Sequence, residues 1–210
     1  MDNRREIERQ ALHIAIGLAT VYFIYTGLFD PLVLFLIIIA ASIASVVSLI
    51  GKVPVLDWFL KRFERKKAIK TFPGMGFAFF FAGSLLALKL FPMDVALASI
   101  MILTLGDSVS HLFGMYFGKT RNPMNGYKLL EGSFAGLIAG YAGALIFVGP
   151  LEAFVAASFA MVIEAVEIEM NKRAIDDNLL IPLIAGTAIL AVRNNWMLRL
   201  VEFIAGFWVF

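Results

Sequence analysis

Cysteine is absent from the sequence, which removes disulfide frameworks, thiolate nucleophiles and Cys-ligated zinc together. Histidine is nearly absent: the two residues, His13 and His111, are too few for a His-rich metal site. Charge is scarce as well, at 16% of 210 residues, and it almost cancels to a net +2. That balance says nothing by itself, and no nucleic-acid partner is expected. There is no internal repeat and no low-complexity linker.

What is present is apolar. Hydrophobic residues make up 60% of the chain, with 20 Phe and a mean hydropathy of +0.85, against roughly 45–50% in soluble domains. So few charges could not cover the surface of a water-soluble protein. The expected fold class is all-α, a polytopic transmembrane helix bundle in a single domain, 1–210. The opening MDNRREIERQ carries both signs, and no small-residue cleavage site follows. A retained first helix is therefore expected there, not a signal peptide.

A helix needs about 20 largely apolar residues to cross the hydrocarbon core. Seven stretches qualify or come close: 11–28, 31–50, 74–91, 94–118, 133–149, 152–169 and a short 179–192. The apolar tail 200–210 is expected at the interface or as a half-span. Connections after the first, third and fifth stretches are tight and carry Pro31, Pro92 and Pro150, which end one helix and open the next. The other connections are longer and charged. With the N-terminus cytoplasmic, the inside segments hold three, seven, three and two basic residues, 15 of the 18 Lys and Arg. Only Lys89, Arg193 and Arg199 fall elsewhere. That asymmetry fixes the expected orientation. The segment 57–70, DWFLKRFERKKAIK, has the aromatic and cationic make-up of a helix lying on an anionic inner leaflet.

Several ionisable groups sit where a bilayer disfavours them. Asp107 lies within the fourth stretch, in LTLGDSVSHLFG, where a carboxylate costs at least about 2.5 kcal/mol on insertion scales and is functional or paired. Glu164 and Glu167, three apart in the sixth stretch, share one helix face. They repel unless a cation sits between them or one is protonated. Such carboxylates on two helices, facing a Lys-rich side, suit a divalent cation with an anionic ligand; Mg2+ binds through one or two carboxylates plus phosphates. The bland alternative is a buried pairing with Lys119 or His111. His13 reads more simply as an interfacial or hydrogen-bonded histidine.

The loop GKTRNPMNGYKLLEGS mimics a P-loop at Gly118-Lys119-Thr120, but that pattern requires glycine at position 113, which is Phe. What remains is Lys119, Lys128, Glu131, Gly132 and Ser133 ahead of a helix N-terminus, a setting that favours an anion such as a triphosphate. Asp176, Asp177 and Asn178 precede the last stretch, where such residues are ordinary N-caps. Gly132, Gly136 and Gly140 form a GxxxGxxxG stripe, the mark of close helix packing. A homo-oligomer is compatible with it.

Four stretches, in this order, resemble the family of CTP-dependent lipid kinases that includes dolichol kinase, yeast-type diacylglycerol kinase and phytol kinase. They are ERQALHIAIG (8–17), KTFPGMGFAFFFAG (70–83), GDSVSHLFGMYFGK with KLLEGSFAG (106–119 and 128–136), and EAVEIEMNKRAIDDNLLIPLIAG (164–186). The GDS, GxxxGK, EGS and DDNxxIP elements are its specific part. The resemblance implies transfer of the γ-phosphoryl of CTP to a membrane-buried alcohol on the cytoplasmic side of a cell or ER-type membrane, with a divalent cation. It matches Asp107 to the Asp of GDS, Lys119 to the Lys after the Gly-rich stretch, and Lys128, Glu131, Gly132 and Ser133 to the nucleotide loop. Glu164 and Glu167 match its acidic helix, and Asp177 with Asn178 its DN pair. Arg9 and His13 match its opening motif, although Gln10 stands where a basic residue is common.

The catalytic residues expected are thus Asp107, Lys119 and Glu164, with Mg2+ on some of Asp107, Glu164, Glu167 and Asp177. The expected partners are CTP, a lipid alcohol of diacylglycerol or polyprenol type, and the bilayer. The alternatives are a CTP-dependent cytidylyltransferase acting on a lipid phosphate, whose known signature has no counterpart here, and a small ion-coupled transporter.

Overall fold

Helix starts fall where a proline or a capping acid allows them. In the computed structural model, which describes residues 3–51, 53–64, 72–123, 128–166, 169–170 and 173–195, α1 spans Asn3–Tyr25 and α2 spans Pro31–Ile50. The Asp30 carboxylate caps α2 by accepting the Val33 N–H at 2.8 Å, with Pro31 in the first turn. Pro54 opens α3 (Pro54–Phe63), and left-handed Gly74 (φ 77°) precedes α4 (Met75–Leu90). α5 (Met93–Met101) runs on through a π-helical turn, Ile102–Asp107, into α6 (Ser108–Phe117). α7 (Leu130–Ala144) and α8 (Pro150–Ala165) follow. A minimal hairpin pairs β1 (Glu169–Met170) with β2 (Arg173–Ala174). α9 (Asp177–Arg193) starts at Asp176, whose carboxylate accepts the Asn178 N–H at 3.0 Å.

The all-helical expectation holds apart from that hairpin. Two of these helices are long and apolar enough to cross a membrane: α2, and α5 to α6 taken together over Met93–Phe117. α4 is apolar but shorter. Several expected boundaries move. α1 begins at Asn3, well ahead of residue 11, because its polar first turns pair among themselves, Arg4 with Glu8 at 3.3 Å and Arg9 with Glu6 at 2.5 Å. The stretch 133–149 is helical over Leu130–Ala144 and then turns. The stretch 152–169 stops being helical at Ala165. The surface helix expected over 57–70 is realised as α3, with 65–70 outside the described residues, as is the tail 200–210.

The α5–π–α6 rod lies at the centre, with α1, α4, α7, α8 and α9 against it. Its residues Val95 to Leu103 are all buried. α2 is the outer helix: it packs on α4, buries only Leu34 and Ser45, and exposes residues such as Phe35, Ile39, Ile43 and Val46. α3 packs on α1 and α2, buries Leu60, and ties to α1 through an Arg62–Glu8 ion pair.

The glycine stripe is used inside the chain. A Cβ on Gly136 would lie 2.6 Å from the Gly106 carbonyl oxygen, and one on Gly132 2.5 Å from that of Ser110. These glycines let α7 touch the backbone of the central rod beside Asp107. A second close approach joins α4 to α9. Pro182 has no N–H for the Asn178 carbonyl four residues back, and that carbonyl faces Gly83, where a Cβ would collide with it. At the far ends of the helices, Arg193 holds Asp94 at 2.8 Å and Glu152 through two hydrogen bonds of 3.0 Å. One guanidinium thus joins the starts of α5 and α8 to the end of α9.

Candidate active site

The opposite ends of α8 and α9 carry the polar cluster. α8 ends with free carbonyls, as every helix does, and groups from the loop between α6 and α7 take them. The Asn122 amide donates to the Ala165 carbonyl at 3.1 Å, and the Lys128 ammonium donates to that of Glu164. The loop holds this pose by pairing with itself across its own tip: Asn122 N–H to Lys128 O at 2.8 Å, Leu130 N–H to Thr120 O at 3.0 Å. Glu131, exposed in the first turn of α7, accepts the Thr120 N–H at 3.0 Å and so braces the same pair.

Lys128 is the hub. Its Nζ lies 2.9 Å from Glu164 Oε1 and 3.2 Å from Asp177 Oδ2. Burial works against its charge, but the Glu164 and Asp177 carboxylates outweigh that and raise its pKa above the ordinary 10.5. Asp177 moves up too: its burial disfavours the carboxylate more than the Lys128 charge supports it. Both pKa values therefore rise, Lys128 through the acids beside it and Asp177 through its burial. Glu164 is fully buried, with no hydrogen-bond partner for Oε2 among the described residues, while Ser110 Oγ approaches Oε1 at 3.4 Å.

Asp107 closes the π turn and faces this group. His111, one turn on, places Nε2 4.0 Å from Asp107 Oδ1 and Nδ1 3.9 Å from Glu164 Oε1. One donor atom from each of Asp107, His111 and Glu164 lies within 4.8 Å of the others. α1 supplies the remaining wall. His13 sits edge-on to Phe80 at 5.3 Å, its Nε2 is buried without a hydrogen-bond partner among the described residues, and it feels the fields of Asp107, Arg9 and His111. Gln10, buried, donates to Glu6 at 2.8 Å, which accounts for a neutral residue there: Glu6 already binds Arg9.

Asp107, Lys128, Glu164, Asp177, Arg9 and His13 are thus gathered from five separate parts of the chain. Lys119 is not: it is exposed, and the cation that pairs with the buried acids is Lys128. Gly132 serves helix contact, and Ser133 in the same first turn buries an Oγ that has no hydrogen-bond partner among the described residues. Asn178 donates to Gly76 O at 3.4 Å and to Asp176 at 2.9 Å, joining α9 to α4. Glu167 lies outside the described residues, and α8 ends before it. The shared face with Glu164 therefore does not follow from an unbroken helix. Asn122 is the residue that sequence reasoning passed over, and it had no signal; His111 was named as a pairing partner of the acids, and it does lie beside Asp107 and Glu164.

Two carboxylates and an imidazole form a donor set suited to a divalent cation, and Glu164 Oε2 is buried there with no hydrogen-bond partner among the described residues. Basic groups close by suit the anion such a cation would carry.

No family model matches the chain, and no solved structure matches it. A curated protein does: CTP-dependent diacylglycerol kinase 1 of Saccharomyces cerevisiae is 28% identical over 155 residues, 70% of this chain and 51% of the relative. The chain therefore spans about half the length of the curated relative it matches. That likeness supports the family of CTP-dependent lipid kinases which the chain's motifs resemble.

Proposed function

We propose that the chain transfers the γ-phosphoryl of CTP to the hydroxyl of a lipid alcohol, of diacylglycerol or polyprenol type, at the cytoplasmic face of its membrane. One observation carries the reading: the Lys128 ammonium is wedged between buried Glu164 and Asp177, with Asp107 and His111 on the same cluster. Phosphoryl transfer asks a protein mainly for positioning and charge stabilisation, and this arrangement offers both signs in one place.

Lys128 and Lys119 grip the triphosphate, Lys128 from within the cluster and Lys119 from the exposed rim. Glu131 keeps the loop carrying them folded through Thr120. Asp107, Glu164 and Asp177 would hold Mg2+, with Glu167 a further expected ligand. Bound there, the cation neutralises charge on the phosphoryl oxygens. Asp107 orients the lipid hydroxyl and takes its proton. Arg9 and His13 line the α1 side. The helices between the two polar ends cross the bilayer, seven spans with the N-terminus inside, so the lipid tail stays in hydrocarbon while its hydroxyl reaches the cluster. A transporter would want acids strung across the membrane, whereas the far acids Asp94 and Glu152 are bound by Arg193.

The test is purified protein with Mg2+, γ-labelled CTP or ATP, and a panel of lipid alcohols. Label entering lipid from CTP supports the proposal; label released as pyrophosphate identifies a cytidylyltransferase instead. Asp107→Asn is expected to reduce transfer by at least about 100-fold, the usual scale of an acid–base group, and wild-type turnover in that variant would remove Asp107 from the mechanism.

A further inference from the structure

His111 has no task in the mechanism above, yet it stands between two of its acids. It lies on α6 four residues after Asp107, and its two ring nitrogens approach Asp107 and Glu164 at 4.0 and 3.9 Å. Glu164, across from it on α8, is fully buried, and its Oε2 has no hydrogen-bond partner among the described residues. Lys128 answers Oε1 from one side, but the desolvated second oxygen still favours a further cation beside it.

We propose that His111 is the nitrogen ligand of a divalent-cation site completed by Asp107 and Glu164, and that this nitrogen makes the site favour Mn2+ over Mg2+. The proposal rests on the kinase reading only for the cation's purpose. Its presence follows from the donors. Mg2+ takes oxygen ligands in near-ideal octahedral geometry and dehydrates reluctantly. An imidazole nitrogen shifts a site toward first-row transition ions, for which it is the better donor. Two carboxylates neutralise the cation and the imidazole adds no charge, so the loaded site still accepts phosphate oxygens. The second ring nitrogen is left to donate its N–H to a neighbouring acceptor, as metal-bound histidines do.

The same geometry would also suit a protonated His111 that merely bridges the two acids, and a direct readout separates the two. Mn2+ is added to the purified full chain without nucleotide. Its affinity is followed by the loss of the free-ion electron paramagnetic resonance signal, and its ligands by spin-echo modulation from 14N. The expected result is 14N modulation on bound Mn2+ that His111→Gln abolishes and His13→Gln preserves. His111→Gln should also weaken Mn2+ roughly tenfold while Mg2+, measured by competition, changes little.

Bound Mn2+ that Asp107→Asn releases but that shows no 14N modulation would overturn the proposal, leaving an oxygen-only site and the kinase reading intact. Absence of Mn2+ binding with and without CTP would overturn it as well. Modulation lost in His111→Gln, in a protein that moves no label from CTP to any lipid alcohol, would uphold the metal site and sink the kinase reading.

Discussion

Lys128 connects the loop to the buried acids, and its removal separates two effects. Lys128→Met leaves Glu164 buried without its cation; losing one partner of such a pair costs about 3 kcal/mol or more. A fall in the denaturation midpoint is expected, largely recovered in Lys128→Met/Glu164→Gln, and equal midpoints for wild type and the single variant would show that the pair contributes nothing. Asp177 gives a pH dependence of definite sign. Its carboxyl is raised by burial above the ordinary 3.8, so the folded chain binds that proton more readily than the unfolded chain. The associated stability is present below 3.8 and is lost as pH rises through the raised value. Asp177→Asn should flatten that decline, measured as the midpoint across the mildly acidic range. At this scale the sequence singled out Asp107 and Glu164, because acids inside apolar runs stand out, whereas Asp177 read as an N-cap and entered only through the resemblance. It misjudged which lysine meets them: Lys119 and Lys128 look alike in one dimension, and only the loop's self-pairing turns Lys128 inward.

At the scale of elements, most helix starts were legible, since Asp30-Pro31, Pro92, Pro150 and Asp176 announce themselves chemically. The end of α8 was not, because Asn122 and Lys128 terminate it from a distant part of the chain. Nor was the π turn, since inserting one residue into an apolar helix hardly disturbs a hydropathy pattern. The Gly132–Gly136–Gly140 stripe was read as packing, and the structure supplies its partner, the backbone around Asp107. Gly136→Ala places a Cβ 2.6 Å from the Gly106 oxygen and also near Met161. The helices must separate, by the overpacking that typically costs about 1–3 kcal/mol. Both a lower midpoint and slower phosphoryl transfer are expected. An unaltered rate in this variant would mean that α7 does not hold Asp107 in register.

For the whole molecule, the orientation can be tested cleanly because the chain has no cysteine of its own. Thr120→Cys before α7 and Gly149→Cys after it mark opposite ends of that helix. In sealed vesicles a membrane-impermeant thiol reagent applied from the cytoplasmic side should label the first and not the second. The reverse pattern would invert the topology read from the Lys and Arg distribution. Bulk composition led to the expectation of a membrane bundle, with which two long apolar helices are consistent, whereas the packing order was not legible, since composition cannot say that α5 to α6 is central and α2 peripheral. Arg193 adds a mechanical asymmetry. It rivets α5, α8 and α9 together at the end away from the acid cluster, while nearer the cluster α8 and α9 are joined across a two-residue hairpin and one shared ammonium. The two ends thus differ in kind: one guanidinium gathers three helix ends on one side, whereas on the other a single ammonium joins α8 to α9, so whatever the cluster binds would be felt at that end of the pair and not at the other.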